Sequence, residues 1–133
     1  MKIERFEDIN AWQEARELVK LVYSAIESNQ SFAKDFRLAN QIQAAAVSSM
    51  ANIAEGFSRQ SRKEFIQFLF IAKGSAAEIQ SHIYVAKDLN YVNTEKFEQI
   101  YDKADKVSRM VSNFIKYLRS RRWTPKTGQC AKL

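Results

Sequence analysis

Four stretches of this chain repeat their apolar residues with the 3.6-residue period of an α-helix, and this pattern restricts the fold more than any other feature. The predicted helices cover about residues 8–28, 36–57, 61–89 and 93–121. Only three glycines and one proline occur in 133 residues, so the chain lacks the turn residues that an all-β fold needs. The sequence therefore predicts an all-α protein.

Two of the predicted helices begin with a recognisable signal. Asp8 is the predicted N-cap of the first helix, because it directly precedes the periodic apolar residues. Ser61 and Glu64 have the S-x-x-E spacing of a capping box, in which each side chain accepts a hydrogen bond from a free backbone N–H. The fourth helix is expected to begin at Asn93 or Thr94.

The segments between the predicted helices are short, and short connections make consecutive helices antiparallel neighbours. We therefore expect an antiparallel up-down-up-down four-helix bundle over residues 1–122. Residues 123–133 contain Pro125 and Gly128 and are expected to form an irregular basic C-terminal tail.

The positive charge is concentrated near the C-terminus. The chain carries a net charge of +6, and residues 107–133 hold seven Lys or Arg residues and no Asp or Glu. In an antiparallel bundle, the end of the fourth helix lies beside the turn between the second and third. This topology brings together Arg59, Arg62, Lys63, Arg119, Arg121 and Arg122.

This predicted basic end has two interpretations. It can bind the phosphates of a nucleic acid, with Trp123 or Phe57 stacking on the bases. Alternatively, lysine and arginine in the last turns of a helix only interact favourably with the helix dipole. The sequence leaves both interpretations open.

A second apolar stripe runs along the third helix, about 120° from its main apolar face. Its residues are spaced by four, seven and seven positions: Ile66, Phe70, Ala77 and Tyr84. A helix that is apolar nearly all round is usually buried all round, which in a small bundle indicates a subunit interface. The alternative is a wide core within one chain.

The second helix carries a polar strip beside its apolar face. The strip consists of Gln41, Ser48, Asn52, Glu55 and Arg59, with Glu55 and Arg59 at the i,i+4 spacing of an ion pair. The strip either contacts a ligand or is a structural network that fixes the first two helices, with Trp12 and Gln13 as further members. The structural alternative is favoured, because no catalytic partner accompanies these residues.

The sequence offers little material for catalysis. Its only histidine, His82, follows Glu78 at i+4 rather than at the i+3 spacing of di-iron bundles, and Cys130 lies far from it. No glycine-rich phosphate-binding motif is present. We expect a protein that is not an enzyme and that holds no metal and no cofactor.

No apolar run approaches the roughly 18 residues that span a bilayer, and the charged N-terminus lacks the apolar region of a signal peptide. A single cysteine suits a reducing compartment. These features predict a cytoplasmic protein with no membrane partner.

Two motifs carry a resemblance to a known family. The segments "NIAEG" at residues 52–56 and "AKGS" at residues 72–75, with the Ser/Arg-rich turn between them, closely resemble the bacterial S23 ribosomal-like proteins, also called 23S rRNA intervening-sequence proteins. The similarity covers about residues 5–120 and includes Trp12.

The resemblance implies a four-helix bundle that assembles as a ring-shaped homopentamer. It also implies nucleic acid, RNA or DNA, as a partner. A more distant similarity to an accessory protein of diversity-generating retroelements implies a nucleic-acid-processing protein as a partner. On these grounds we expect an oligomeric RNA-binding or accessory protein, the alternative being a protein-interaction scaffold that binds no nucleic acid.

The chain departs from the family pattern on the second helix. Gln43 and Ala44 stand where the family usually has arginine, and Met50 stands where it often has proline. The missing basic pair argues against a nucleic-acid surface along this helix and leaves the basic end as the candidate. In the same comparison, Trp12, Gln41, Ser48, Asn52 and Glu55 are interpreted as structural markers of the family.

Overall fold

A computed structural model describes residues 3–120 together with residues 123 and 124. It contains a 3-10 turn at Phe6–Asp8 and five α-helices. The helices are α1 (Asn10–Glu27), α2 (Gln30–Lys34), α3 (Phe36–Ser58), α4 (Arg62–Asp88) and α5 (Thr94–Arg119). The described residues contain no strand, so the predicted all-α class is confirmed.

A side chain caps the start of every helix except α1. Asn29 accepts a hydrogen bond from the N–H of Phe32 at 2.8 Å, and Asn93 does the same for Lys96 at 2.7 Å. Ser61 accepts from the N–H of Glu64 at 3.2 Å, which is one of the two hydrogen bonds of the predicted capping box. Each cap satisfies a donor that the first helical turn cannot pair internally.

The contacts between side chains give the directions of the helices. Ser48 and Phe57 of α3 contact Ser75 and Phe65 of α4, so the residue number rises along one helix as it falls along the other. Helices α4 and α5 are antiparallel in the same way, because Phe65 contacts Phe114 and Tyr84 contacts Phe97.

The bundle closes through α1, which packs against both α3 and α5. Asn10 at its start shares a cleft with Asn113, and Ala25 near its end shares another with Val92, so α1 runs opposite to α5. Four long helices therefore surround one apolar core. Its largest fully buried side chains are Phe32, Phe65, Ile9, Leu18, Ile42, Ile53, Leu69, Ile79, Ile83, Ile100, Leu118 and Val22.

One predicted helix start is wrong, and one residue of the predicted tail lies against the core. Asp8 does not cap α1, because its carboxylate accepts the N–H groups of Glu4 and Arg5 within the 3-10 turn, and the N-cap of α1 is Ile9. Trp123 was assigned to the irregular tail, yet it is buried against the bundle core. The sequence analysis also missed the short helix α2, which places Phe32 in the core.

Candidate interaction surfaces

The end of the bundle at which α3 and α5 finish and α4 begins carries the predicted basic residues; we call it the basic end. Of the residues predicted there, Arg59, Arg62, Lys63 and Arg119 lie in the described part of the chain. Arg121 and Arg122 lie outside the described residues.

Arg59 interacts with neighbouring side chains of the basic end. Its Nε lies 3.0 Å from a carboxylate oxygen of Glu55, and its Nη1 lies 3.7 Å from a carboxylate oxygen of Glu64. Its guanidinium also lies 4.9 Å from the centre of the Phe68 ring, within cation–π range. Arg59 therefore lies between two carboxylates and joins the end of α3 to the start of α4.

Arg62 binds the backbone of Trp123, which follows α5. Its Nη2 donates a hydrogen bond of 2.5 Å to the carbonyl oxygen of Trp123. The indole of Trp123 lies 5.4 Å from the Phe65 ring and 6.4 Å from the Phe57 ring, centre to centre. Trp123 thus lies against the residues that flank the turn between α3 and α4.

The predicted stacking role of Trp123 and Phe57 is therefore wrong for this conformation. Each residue is only 7% exposed, and each ring faces other aromatic rings. A base can stack only on an exposed ring face. The aromatic pair closes the apolar core at the basic end.

Lys63 and Arg119 are exposed cations of the basic end that, unlike Arg59, form no ion pair with a described carboxylate. Arg119 lies over the half-exposed ring of Phe70, at 5.5 Å from its centre. Lys116 is exposed one turn earlier on α5. The two carboxylates nearby face Arg59, so the charges of Lys63, Lys116 and Arg119 leave the basic end positive.

The polar strip of α3 joins α3 to α4. Asn52 Nδ2 donates to the carbonyl oxygen of Ser48 at 2.9 Å and to its Oγ at 2.8 Å, and Ser75 Oγ donates to Ser48 Oγ at 2.8 Å. The expectation that this network fixes the first two long helices is wrong. Because Ser48 Oγ accepts hydrogen bonds from both Asn52 and Ser75, this part of the strip has the geometry of a structural contact.

The other members of the strip have separate surroundings. Trp12 packs edge-on against Phe6, with ring centres 5.1 Å apart, and Gln13 donates to the carbonyl oxygen of Glu7 at 2.8 Å. Both contacts hold the 3-10 turn against α1. Gln41 is exposed.

The outer face of α4 is exposed over most of its length. Of the four predicted interface residues, Phe70 is 46% exposed, Tyr84 is 51% exposed and Ala77 is exposed, whereas Ile66 is half-buried against the core. Gly74 and Ser81 complete the line, so the residues follow one another at intervals of four, three, four and three. This spacing is that of a helix that packs along a second helix.

Gly74 has no role inside the bundle that requires glycine. A Cβ built at Gly74 meets no atom within 4 Å, whereas one at Gly56 would lie 2.8 Å from Phe65 Cδ1. Glycine within a helix costs about 1 kcal/mol relative to alanine. The close approach of α3 and α4 explains the glycine at position 56. No such close contact within the described chain explains the glycine at position 74.

The outer face of α3 is a further uncharged surface, and the sequence analysis did not identify it as an interface. Residues 38–54 contain no charged side chain, although Ala44, Val47 and Ala51 are exposed. Val47 is 41% exposed. The absence of charge over five turns of helix is the sequence signal that indicates this face.

Helices α1 and α5 differ from α3 and α4 because their outer faces are charged. The exposed charged residues on the two helices are Arg16, Glu17, Lys20, Glu27, Glu95, Glu98, Asp102, Lys106, Arg109, Lys116 and Arg119. We call the side formed by α1 and α5 the ionic side and the side formed by α3 and α4 the apolar side, because the exposed charges of α3 and α4 lie near the helix ends, with Glu78 as the exception.

A partly exposed ion cluster on the ionic side joins α1 to α5. The carboxylate of Glu14 accepts a hydrogen bond from Lys103 Nζ at 2.8 Å, and Lys106 Nζ lies 3.4 Å from its other oxygen. The hydrogen bond from Lys103 lowers the pKa of Glu14 below its ordinary value of 4.5, and the charges of both lysines act in the same direction.

Two surface clefts lie among the described residues. One of about 440 Å³ is lined by Asn29, Asn90 and Lys96 among others, and one of about 370 Å³ lies between Ile9 and Phe114. Neither cleft is lined by Asn52 or Glu55. Within residues 3–120, 123 and 124, no three His, Cys, Asp or Glu side chains are grouped to hold a metal ion.

None of the described helices combines the length and the apolar character needed to cross a lipid bilayer.

Known proteins resemble this chain in sequence and in structure. The chain matches the family model described as 23S rRNA-intervening sequence protein over residues 7–113. A crystal structure from Bacteroides thetaiotaomicron, of a protein with unknown function from the S23 ribosomal protein family, superposes with a TM-score of 0.72 at 26% sequence identity. The superposition covers 80% of this chain and 98% of that one. The comparison with curated proteins gives no match.

The family model spans most of the helical bundle, from the 3-10 turn to the last third of α5. The solved relative has the same fold. This chain belongs to the family of 23S rRNA-intervening sequence proteins.

Proposed function

We propose that this chain is a non-enzymatic bundle protein that assembles with itself through the outer face of α4 and binds RNA at its basic end. The observation that carries the proposal is the exposed cluster of Lys63, Lys116 and Arg119, whose charges face no carboxylate among the described residues. Phosphate contacts of this kind supply most of the affinity of non-specific nucleic-acid binding.

Self-assembly strengthens this function. A single patch of three or four cations binds RNA weakly at physiological salt, because counterions compete for the phosphates. A ring of identical copies repeats the patch and converts later contacts into intramolecular ones. The homopentamer that the family resemblance implies is the assembly we propose.

RNA is proposed rather than DNA because the matched family description refers to 23S rRNA. With the rings of Trp123 and Phe57 buried, binding at this end rests on charge. We therefore expect weak sequence preference and strong salt dependence.

The test is a fluorescence-anisotropy titration of a labelled RNA at two salt concentrations. The variant Lys63→Gln/Arg119→Gln should bind less tightly and should flatten the salt dependence, by about one unit of slope for each lost phosphate contact. The control Lys20→Gln/Lys34→Gln removes two exposed lysines away from the basic end and should bind like the unmodified protein. Failure to bind RNA at low salt overturns the proposal.

The second candidate function is a protein-interaction scaffold that binds no nucleic acid. The exposed apolar residues of α4, Phe70 and Tyr84, favour it, because such a face also suits a different protein. Capture of one protein partner that survives nuclease treatment, together with no RNA binding, would favour the scaffold.

A further inference from the structure

We infer that the outer face of α4 in one copy packs against the outer face of α3 in the next copy, in a head-to-tail contact. This inference rests on the self-assembly proposed above and names the surface that receives α4. Residues 38–54 of α3 carry no charge, and between Phe70 and Tyr84 the outer face of α4 exposes a single charged residue, Glu78, whereas α1 and α5 expose many. Burying charged side chains without partners is costly, so a stable interface uses the faces that lack them.

The positions of residues along the bundle axis decide which residues of the two faces come opposite each other. Within one copy, the hydrogen bond between Ser48 and Ser75 places these residues at the same level. In a ring whose axis is parallel to the helices, all copies lie at the same level. Val47 of one copy then comes beside Gly74 and Ala77 of its neighbour.

This register matches large side chains to small ones. The α4 line has aromatic residues at Phe70 and Tyr84, with Gly74 and Ala77 between them. The α3 line has the opposite profile, with Val47 between alanines. Val47 therefore packs against the small residues Gly74 and Ala77 of α4. This contact gives Gly74 the close helix neighbour that it lacks within one chain.

The far end of the same contact is complementary in charge. Arg37 at the start of α3 and Asp88 at the end of α4 are both exposed. In the register set by Ser48 and Ser75, they come within about one helical turn of each other across the interface. An ion pair at this rim fixes the direction of packing.

The arrangement of the helices allows the contact to close. Helices α3 and α4 are neighbours in a four-helix bundle, so their outward directions diverge by about 90°. Head-to-tail contacts at an angle of about 90° close into a ring of about four copies, and a slightly wider angle of about 108° closes a ring of five. The opposite choice, α4 against α4 about a two-fold axis at Ala77, brings Glu78 of each copy together and leaves α3 exposed.

The experiment uses two charge variants and a mixture of them. Val47→Glu blocks the α3 face and Gly74→Glu blocks the α4 face, and neither change enters the core because both positions are exposed. Tyr23→Glu is the control, since Tyr23 is 39% exposed on α1, close to the 41% of Val47. Masses are measured by light scattering after gel filtration, and helix content by circular dichroism.

We expect the unmodified protein and Tyr23→Glu to form the assembly, and each blocked variant alone to have the 15.4 kDa mass of one chain. An equal mixture of the blocked variants should form a species of twice that mass. One intact α4 face then meets one intact α3 face, and the remaining faces are blocked.

The outcomes separate this inference from the proposal on which it rests. An unmodified protein that is a monomer overturns both. An assembly that survives Val47→Glu but not Gly74→Glu overturns the head-to-tail contact and leaves self-assembly standing. A mixture that stays monomeric also overturns the head-to-tail contact, and an assembly that survives both variants shows that a different surface is used.

Discussion

Ser75 Oγ donates a hydrogen bond of 2.8 Å to Ser48 Oγ, and this contact joins α4 to α3 at mid-height. Ser75 is 7% exposed, so the bond forms largely out of water. Its second role is positional, because it sets which residues of α3 and α4 share a level.

Replacing Ser75 by alanine should lower the free energy of unfolding by about 1 kcal/mol, the usual net worth of such a bond. The loss is limited because Ser48 Oγ still accepts from Asn52. Urea denaturation followed by circular dichroism measures the change. Ser81→Ala, at an exposed position of the same helix, should change it little. Equal losses for the two variants would contradict a structural role for this bond.

The two helix glycines should respond in opposite ways to alanine. In Gly56→Ala the new Cβ would lie 2.8 Å from Phe65 Cδ1 and 2.9 Å from Phe68 Cβ, which should cost about 1–3 kcal/mol of stability. Gly74→Ala meets open space and should stabilise the single chain by up to about 1 kcal/mol.

Thermal unfolding at low protein concentration, in the Val47→Glu background, measures both effects without a contribution from assembly. A lower midpoint for Gly74→Ala would show that Gly74 is needed within one chain. Its assignment to a contact between copies would then be wrong.

Trp123→Ala should destabilise the basic end, because Trp123 covers Phe57 and Phe65. We expect the free energy of unfolding to fall by about 2–4 kcal/mol. This is less than the roughly 3–5 kcal/mol typical of a fully buried tryptophan, because Trp123 lies at the edge of the core. Chemical denaturation checks this, with Thr124→Ala as an exposed control. An unchanged denaturation midpoint would mean that Trp123 does not cover the core in solution.

The Glu14 cluster should make stability depend on pH. The folded pKa of Glu14 lies below its ordinary value of 4.5, so the ionised carboxylate stabilises the folded chain above that value. This contribution is lost as the pH falls through the folded pKa. Because the pair is partly exposed, we expect less than about 1 kcal/mol.

Unfolding by urea at several pH values between neutral and strongly acidic solution tests this, with Glu14→Gln as the comparison. The two proteins should differ at neutral pH and converge in acid. A difference that stays constant over this range would exclude the titration of Glu14 as its cause.

Periodicity and capping indicated the four long helices of this protein, because both depend on residues close together in sequence. The start of α4 at Ser61, its apolar stripes and the end of α3 near Phe57 follow from such local patterns. Asp8 does not cap α1, because its carboxylate accepts backbone N–H groups that precede it in the chain. The helix α2 could not be predicted from periodicity, because five residues are too few to show a period.

The tertiary structure decided which side chains remain available. Sequence placed Trp123 in a tail and made Arg62 a free cation, but packing buries the indole and gives Arg62 a carbonyl acceptor. The apolar side of the bundle likewise appears only once α3 and α4 lie next to each other. Local sequence fixes hydrogen bonding within a helix, whereas exposure depends on contacts between residues that are distant along the chain, and only the folded structure supplies these.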